Sequence, residues 1–114
     1  MSNCVFCKII AGEIPSNKVY EDELIYAFRD INPQAPVHVL IVPKMHIDSA
    51  NAISAENSAV VAHIFSKVSE IAALVGVKDE GYRIINNCGE NGGQTVLHLH
   101  FHLLGGKNLG ERLV

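Results

Sequence analysis

His98-Leu99-His100-Phe101-His102-Leu103-Leu104 decides how this chain is read. Apolar and imidazole side chains alternate with a period of two, which predicts a β-strand with Leu99, Phe101 and Leu103 on one face and three histidines on the other. The apolar face predicts packing on a helix, and the imidazole face must meet solvent or a ligand pocket. A solvated face would more commonly carry Lys, Glu or Thr. A metal held by all three histidines is disfavoured, because His98 and His102 lie about 13 Å apart along a strand, whereas zinc needs each nitrogen within ~2.1 Å. Phosphoryl or nucleotidyl chemistry fits better, since imidazole near neutrality serves as nucleophile or acid. The preceding Gly89-Glu90-Asn91-Gly92-Gly93-Gln94-Thr95 can turn backbone N–H groups and a hydroxyl towards phosphate oxygens.

Working towards the N-terminus, Arg83–Asn87 predicts another strand, and Ser54–Val75 switches to helical spacing. Val61, Ile64, Phe65, Val68, Ile71, Ala72 and Val75 form its apolar stripe, with Ser54 or Asn57 as cap and Gly76 as stop. Val37–Val42 is β-branched and ends at Pro43, after a Pro-interrupted loop at Asp30–Pro36. Lys18–Glu21 and Leu24–Phe28 predict two short strands, and Cys4–Ala11 a short helix closed by Gly12. The expected fold class is α+β: a five-stranded antiparallel sheet with one long helix and a short N-terminal helix.

At 114 residues the chain is expected to be one domain, residues 1–114. Nine Lys and Arg against twelve Asp and Glu leave a net charge of −3, which argues against a nucleic-acid partner but leaves room for one small anion. No apolar stretch approaches the span of a bilayer and no signal peptide is visible, so no membrane partner and a cytoplasmic location are expected. Three cysteines (Cys4, Cys7, Cys88) make no disulfide framework and read as thiols or metal ligands. Of these, Cys88 reads as a loop thiol. His63, inside the long helix, reads as a partly exposed helix histidine.

The stretch at 98–104 resembles the histidine-triad (HIT) motif, His-φ-His-φ-His-φ-φ. The resemblance extends over Phe6-Cys7-Lys8-Ile9-Ile10, Asp30-Ile31-Asn32-Pro33-Gln34-Ala35-Pro36-Val37-His38, Pro43-Lys44-Met45-His46-Ile47 and Gly92-Gly93-Gln94-Thr95-Val96. It is similar to the Hint branch, the nucleoside phosphoramidases. That resemblance implies a hydrolase of purine nucleoside 5′-phosphoramidates, with His100 as nucleophile attacking the α-phosphorus, a nucleotidyl-histidine intermediate, and AMP or GMP as product. His102 is then the acid for the leaving nitrogen, and His98 and His38 are the shell that fixes the tautomer of His100. Gly93, Thr95 and Val96 would hold phosphate, and Asp30 and Asn87 would contact ribose. Val5, Phe6, Ile9, Phe28 and Ile31 would lie against the purine, or serve as core, or both.

The resemblance further implies a homodimer joining two sheets. In a bacterial subset, a Cys-x-x-Cys, a histidine after Pro-Lys and the first triad histidine bind zinc. Cys4, Cys7, His46 and His98 match, so structural zinc is expected as a cofactor that catalysis does not require, the alternative being two reduced thiols on a helix. The residues after Gly106 lack the Trp-containing tail of eukaryotic Hint proteins, which leaves the amine specificity open. The alternatives are a dinucleoside polyphosphate hydrolase of the Fhit type and a nucleotide-binding scaffold protein with incidental hydrolysis.

Overall fold

The computed structural model describes residues 3–114. The element order is α1 (Val5–Ile10), β1 (Lys18–Glu21), β2 (Ile25–Arg29), β3 (Val37–Pro43), a 3-10 turn (Ala50–Ala52), α2 (Ser58–Leu74), β4 (Tyr82–Ile85) and β5 (Phe101–Gly105). The strands form one antiparallel sheet in the order β1-β2-β3-β5-β4. The expected α+β architecture is therefore present.

Strand alternation divides the side chains between two layers. Ile25 and Ala27 of β2, Val39 and Ile41 of β3, and Phe101 and Leu103 of β5 pack with Ile64, Val68, Ile71 and Ala72 of α2. Tyr26 and Phe28, with Leu40 and Val42, point to the opposite layer and meet Phe6 and Ile9 of α1. Each helix thus seals one face. Among the described residues, no helix is long and apolar enough to cross a membrane.

Three boundaries depart from expectation. The last strand starts at Phe101, three residues into the 98–104 stretch. Backbone groups before it are taken by other partners: the Val96 oxygen accepts from Gln94 Nε2, the His98 oxygen from His100 Nδ1, and the His100 oxygen from Asn86 Nδ2. A ladder cannot form where its acceptors are occupied. The facing pattern survives, because Leu99, Phe101 and Leu103 all enter the α2 layer.

The long helix begins at Ser58 rather than Ser54. Ser54 N donates to Asn57 Oδ1 at 2.8 Å, closing a turn that consumes the cap oxygen of Asn57. The buried stripe uses Val60 in place of Val61, and Phe65 is 51% exposed although its ring meets Phe101 edge-on. Gly76 ends the helix at φ +79° as expected, with Val77 N reaching back to the Ala72 oxygen. Finally, β4 stops at Ile85, beyond which Asn86 and Asn87 bond to the segments carrying His100 and Gly92.

Candidate functional site

The three histidines of the 98–104 stretch do not form a solvated face. His98 is fully buried and His100 is 5% exposed, because α1 lies over them. Phe6 is the cover: its ring meets His100 edge-on at 5.0 Å and His98 at 5.9 Å. His102 stands opposite Leu40 on β3, and His38 stands opposite Leu104, so His38 and His102 are diagonal neighbours on the α1 face of the sheet. The histidines therefore partition: His100, His102 and His38 face one cavity, while the His98 ring belongs to a second centre.

Carbonyl and amide partners fix the tautomers. A carbonyl oxygen only accepts, so His100 carries its proton on Nδ1, donated to the His98 oxygen at 2.7 Å, and keeps a lone pair on Nε2. Gln34 N–H donates to His38 Nδ1 at 3.0 Å, which leaves the His38 proton on Nε2. That nitrogen lies 2.9 Å from His102 Nδ1 and 3.5 Å from Asp30 Oδ2. Neutral His102 accordingly holds its proton on Nε2. The expectation that His38 acts on His100 is corrected here, since its partner is His102. The tautomer of His100 is set by the main chain of His98, not by its ring.

Burial lowers the pKa of His102 to about 4, helped by the neighbouring His100 and His38 and opposed by Asp30. Burial also lowers His38, again against the pull of Asp30. Both rings are thus neutral at pH 7.

The cavity has a volume of about 500 Å³, within the ~300–1,000 Å³ usual for small-molecule sites. Val5, Phe6, Ile9, Phe28, Asp30, Ile31, His38, Thr95, Val96, His100 and His102 line it. Phe6, Ile9 and Phe28 are buried and act as core and wall together, whereas Val5 (38% exposed) and Ile31 (88%) only border the opening. Asn87 and Gly93 are not part of the lining. Asn87 Nδ2 donates to the Gly92 oxygen at 2.7 Å, which places both residues in the scaffold of the glycine-rich loop. Gly93 has φ +81°, and a Cβ on Gly92 would overlap the Cys88 carbonyl, so glycine is required at both positions.

Sequence reasoning did not single out Gln94. Its Oε1 accepts from Gly89 N at 2.9 Å, and its Nε2 donates to the Asp48 and Val96 oxygens at 2.8 and 2.9 Å. Gln34, Leu40, Ile14, Pro15, Ser16, Arg29 and Asn32 also line the cavity. Only the breaker residues of the 30–36 loop offered a signal for any of these.

Cys4, Cys7, His46 and His98 place their ligand atoms within 4.8 Å of one another. Cys4 Sγ lies 3.3 Å from His98 Nδ1, and Cys7 Sγ lies 3.3 Å from His46 Nδ1 and 3.6 Å from His98 Nδ1. The far nitrogens are protonated: His98 Nε2 donates to the Pro43 oxygen, and His46 Nε2 lies 2.8 Å from Asp48 Oδ1. Both rings therefore turn an Nδ1 lone pair towards the sulfurs, an arrangement that suits a metal.

A second depression, about 600 Å³, lies between β4 and the C-terminal segment and includes Glu80, Arg83 and Lys107. It is slightly larger, but none of its lining residues is a histidine or cysteine, so the chemistry sits in the first cavity. His63, on α2, is part-buried and bonds Asp22 Oδ2 at 2.7 Å, remote from both centres.

The chain is similar to known proteins in sequence and in fold. The HIT domain family model matches residues 11–109. The chain is 48% identical over 109 residues to the purine nucleoside phosphoramidase of Escherichia coli K12, covering 96% of this chain and 92% of that protein. It is 52% identical over 105 residues to a HIT-like protein of Synechococcus elongatus, covering 92% and 91%. A HIT family hydrolase from Clostridium thermocellum superposes with a TM-score of 0.97 at 49% identity, covering 100% of this chain and 99% of that one.

Proposed function

The chain belongs to the HIT family, and on that premise we propose that it hydrolyses purine nucleoside 5′-phosphoramidates through a nucleotidyl-histidine intermediate. One observation carries the reading: the Nδ1–H of His100 is donated to the His98 oxygen, which leaves Nε2 as the basic nitrogen of a ring that borders the cavity. The similarity to a purine nucleoside phosphoramidase supplies the substrate class.

His100 Nε2 attacks the α-phosphorus, and an N–P bond forms as the P–N bond to the departing amine breaks. An amide anion is too basic to leave, so a proton must reach that nitrogen as the bond opens. The donor is His102 as the imidazolium, because a neutral ring that gave up its single proton would be left an imidazolate; it passes the Nε2 proton to the amine and returns to the neutral ring. Water then attacks the phosphorus, its proton returns to His102, and the N–P bond to His100 breaks to release AMP or GMP. A bound phosphate anion raises the proton affinity of His102 and favours that imidazolium. Thr95 and the Val96 backbone hold the phosphate, with Gly93 shaping that loop. Asp30 is assigned to ribose, Asn87 braces the glycine-rich loop through the Gly92 oxygen, and the Phe6, Ile9, Phe28, Val5 and Ile31 wall receives the base.

We assign Cys4, Cys7, His46 and His98 to a structural zinc. Tetrahedral zinc with Zn–S of ~2.3 Å and Zn–N of ~2.1 Å has sulfur-to-nitrogen edges of about 3.6 Å. The separations of 3.3, 3.3 and 3.6 Å support that fit. Zinc there would tie the start of α1 to the segments after β3 and before β5, and no step of the reaction passes through it. Residues 1–114 are read as a single HIT domain that pairs as a homodimer. The outer edge of β4, with half-buried Tyr82, Ile84 and Ile85, is suited to joining two sheets.

Mass spectrometry after brief exposure to adenosine 5′-phosphoramidate tests the chemistry. An adenylyl adduct on His100 is expected, absent from His100→Ala. Faster turnover of diadenosine triphosphate than of the phosphoramidate would replace this assignment with a polyphosphate hydrolase.

A further inference from the structure

Two threads of bonds lead from the thiol–imidazole cluster into the catalytic cavity. The first is His98, whose ring faces Cys4 and Cys7 while its main-chain oxygen accepts from His100 Nδ1 at 2.7 Å. The second starts at His46, which faces Cys7 through Nδ1 and bonds Asp48 Oδ1 through Nε2 at 2.8 Å. The Asp48 main-chain oxygen accepts from Gln94 Nε2 at 2.8 Å, and the same side chain grips Gly89 N and the Val96 oxygen. Gln94 thereby clasps both ends of the loop that presents Thr95. Phe6, between the two cysteines in sequence, adds a packing contact to His98 and His100.

We propose that the Cys4/Cys7/His46/His98 cluster is a positioning device for the cavity, with metal occupancy setting the placement of residues 89–96 through Asp48 and Gln94. The inference rests on the reading above, that the cluster takes zinc and the cavity takes a nucleotide. A metal fixes the orientation of each ligating imidazole, and through it the group bonded to the far nitrogen. Without the metal, the partly exposed His46 regains its rotamers, Asp48 loses a fixed partner, and Gln94 loses a fixed anchor. Displacements of about 1 Å at a reacting centre are costly, so a loop held this way affects both binding and rate. Asp48 and Gln94 touch no reacting atom and are positioning residues.

The test compares the full chain loaded with zinc and stripped by chelator, reading amide hydrogen exchange by mass spectrometry and AMP affinity by calorimetry. Zinc is expected to slow exchange across 89–96 and to tighten AMP by about tenfold, a typical coupling between two sites. In Gln94→Ala, zinc still binds but both effects disappear. Asp48→Ala weakens them, whereas Asp48→Asn, whose amide oxygen still accepts from His46, restores them. Protection confined to residues 4–7, 46–48 and 98, or an absence of zinc binding, would overturn the proposal. A response of 89–96 to zinc in a chain that binds no AMP would support the coupling and defeat the nucleotide reading instead.

Discussion

His38 Nε2 lies 2.9 Å from His102 Nδ1, and the Gln34 amide bonded to His38 Nδ1 makes the direction of that contact one-way. The proton sits on His38, and His102 receives it as an acceptor. A residue 64 positions away in sequence thus decides which nitrogen of the neutral His102 ring carries its proton.

His38→Ala removes that control and leaves His102 free to populate the wrong tautomer. General acid–base catalysis contributes roughly 10²–10⁴-fold, and partial loss of it predicts a fall in kcat of about 10- to 100-fold. KM for adenosine phosphoramidate should change by less than about threefold. Steady-state kinetics checks both, and an unchanged kcat would remove His38 from the mechanism.

Acid should destabilise the fold through the same pair. His102 is lowered to about 4 and His38 is lowered as well, both chiefly by burial, while the unfolded rings keep the ordinary value of ~6.5. Between those values the unfolded chain binds more protons than the folded one. Stability therefore rises with pH across the window from about 4 to 6.5, and is lost as pH falls through it. Urea midpoints measured from pH 7 to pH 4 should fall, and His38→Gln should flatten the decline.

Phe6→Ala should damage binding more than chemistry. The ring contacts Phe28 at 5.6 Å, covers His100 and forms part of the cavity wall. Truncating a buried Phe costs about 3–5 kcal/mol at a fully enclosed core site, and the open cavity beside Phe6 places this one near the lower end. AMP affinity should drop by at least about tenfold, measured by calorimetry on protein shown to be folded.

Asp22→Ala is the matching test away from the site. Asp22 accepts from Tyr20 OH, His63 Nε2 and the Leu24 and Ile25 amides, which hold its carboxyl well below the usual range. The same contact raises Tyr20 to about 12. Leaving those donors unmatched should lower stability by about 1–3 kcal/mol, while kcat stays within about twofold. Thermal melting and turnover separate the two effects.

Much of this was legible in the sequence because it is written in periods and in punctuation. The alternation at 98–104 placed Leu99, Phe101 and Leu103 correctly, and Gly12 and Gly76 marked real helix ends. What failed were boundaries governed by side chains bonding to backbone: Asn57 taking the Ser54 amide, and Gln94, Asn86 and His100 capturing carbonyls ahead of β5. No local pattern announces such bonds, since their partners lie elsewhere in the fold. The burial of His98 and His100 was hidden for a similar reason. It depends on α1 folding over the sheet, a contact between residues more than ninety positions apart.

The pleat imposes parity on the His98–Leu104 stretch. Inserting one amino acid between Leu99 and His100 would leave His98 on its thiols but send the two following imidazoles into the oily layer beneath α2, exchanging them with Phe101 and Leu103. Such a chain would keep the thiol–imidazole cluster and turn the His100 ring away from the cavity. Length in this segment is thus constrained as tightly as composition, and a duplication or deletion here would survive only in units of two.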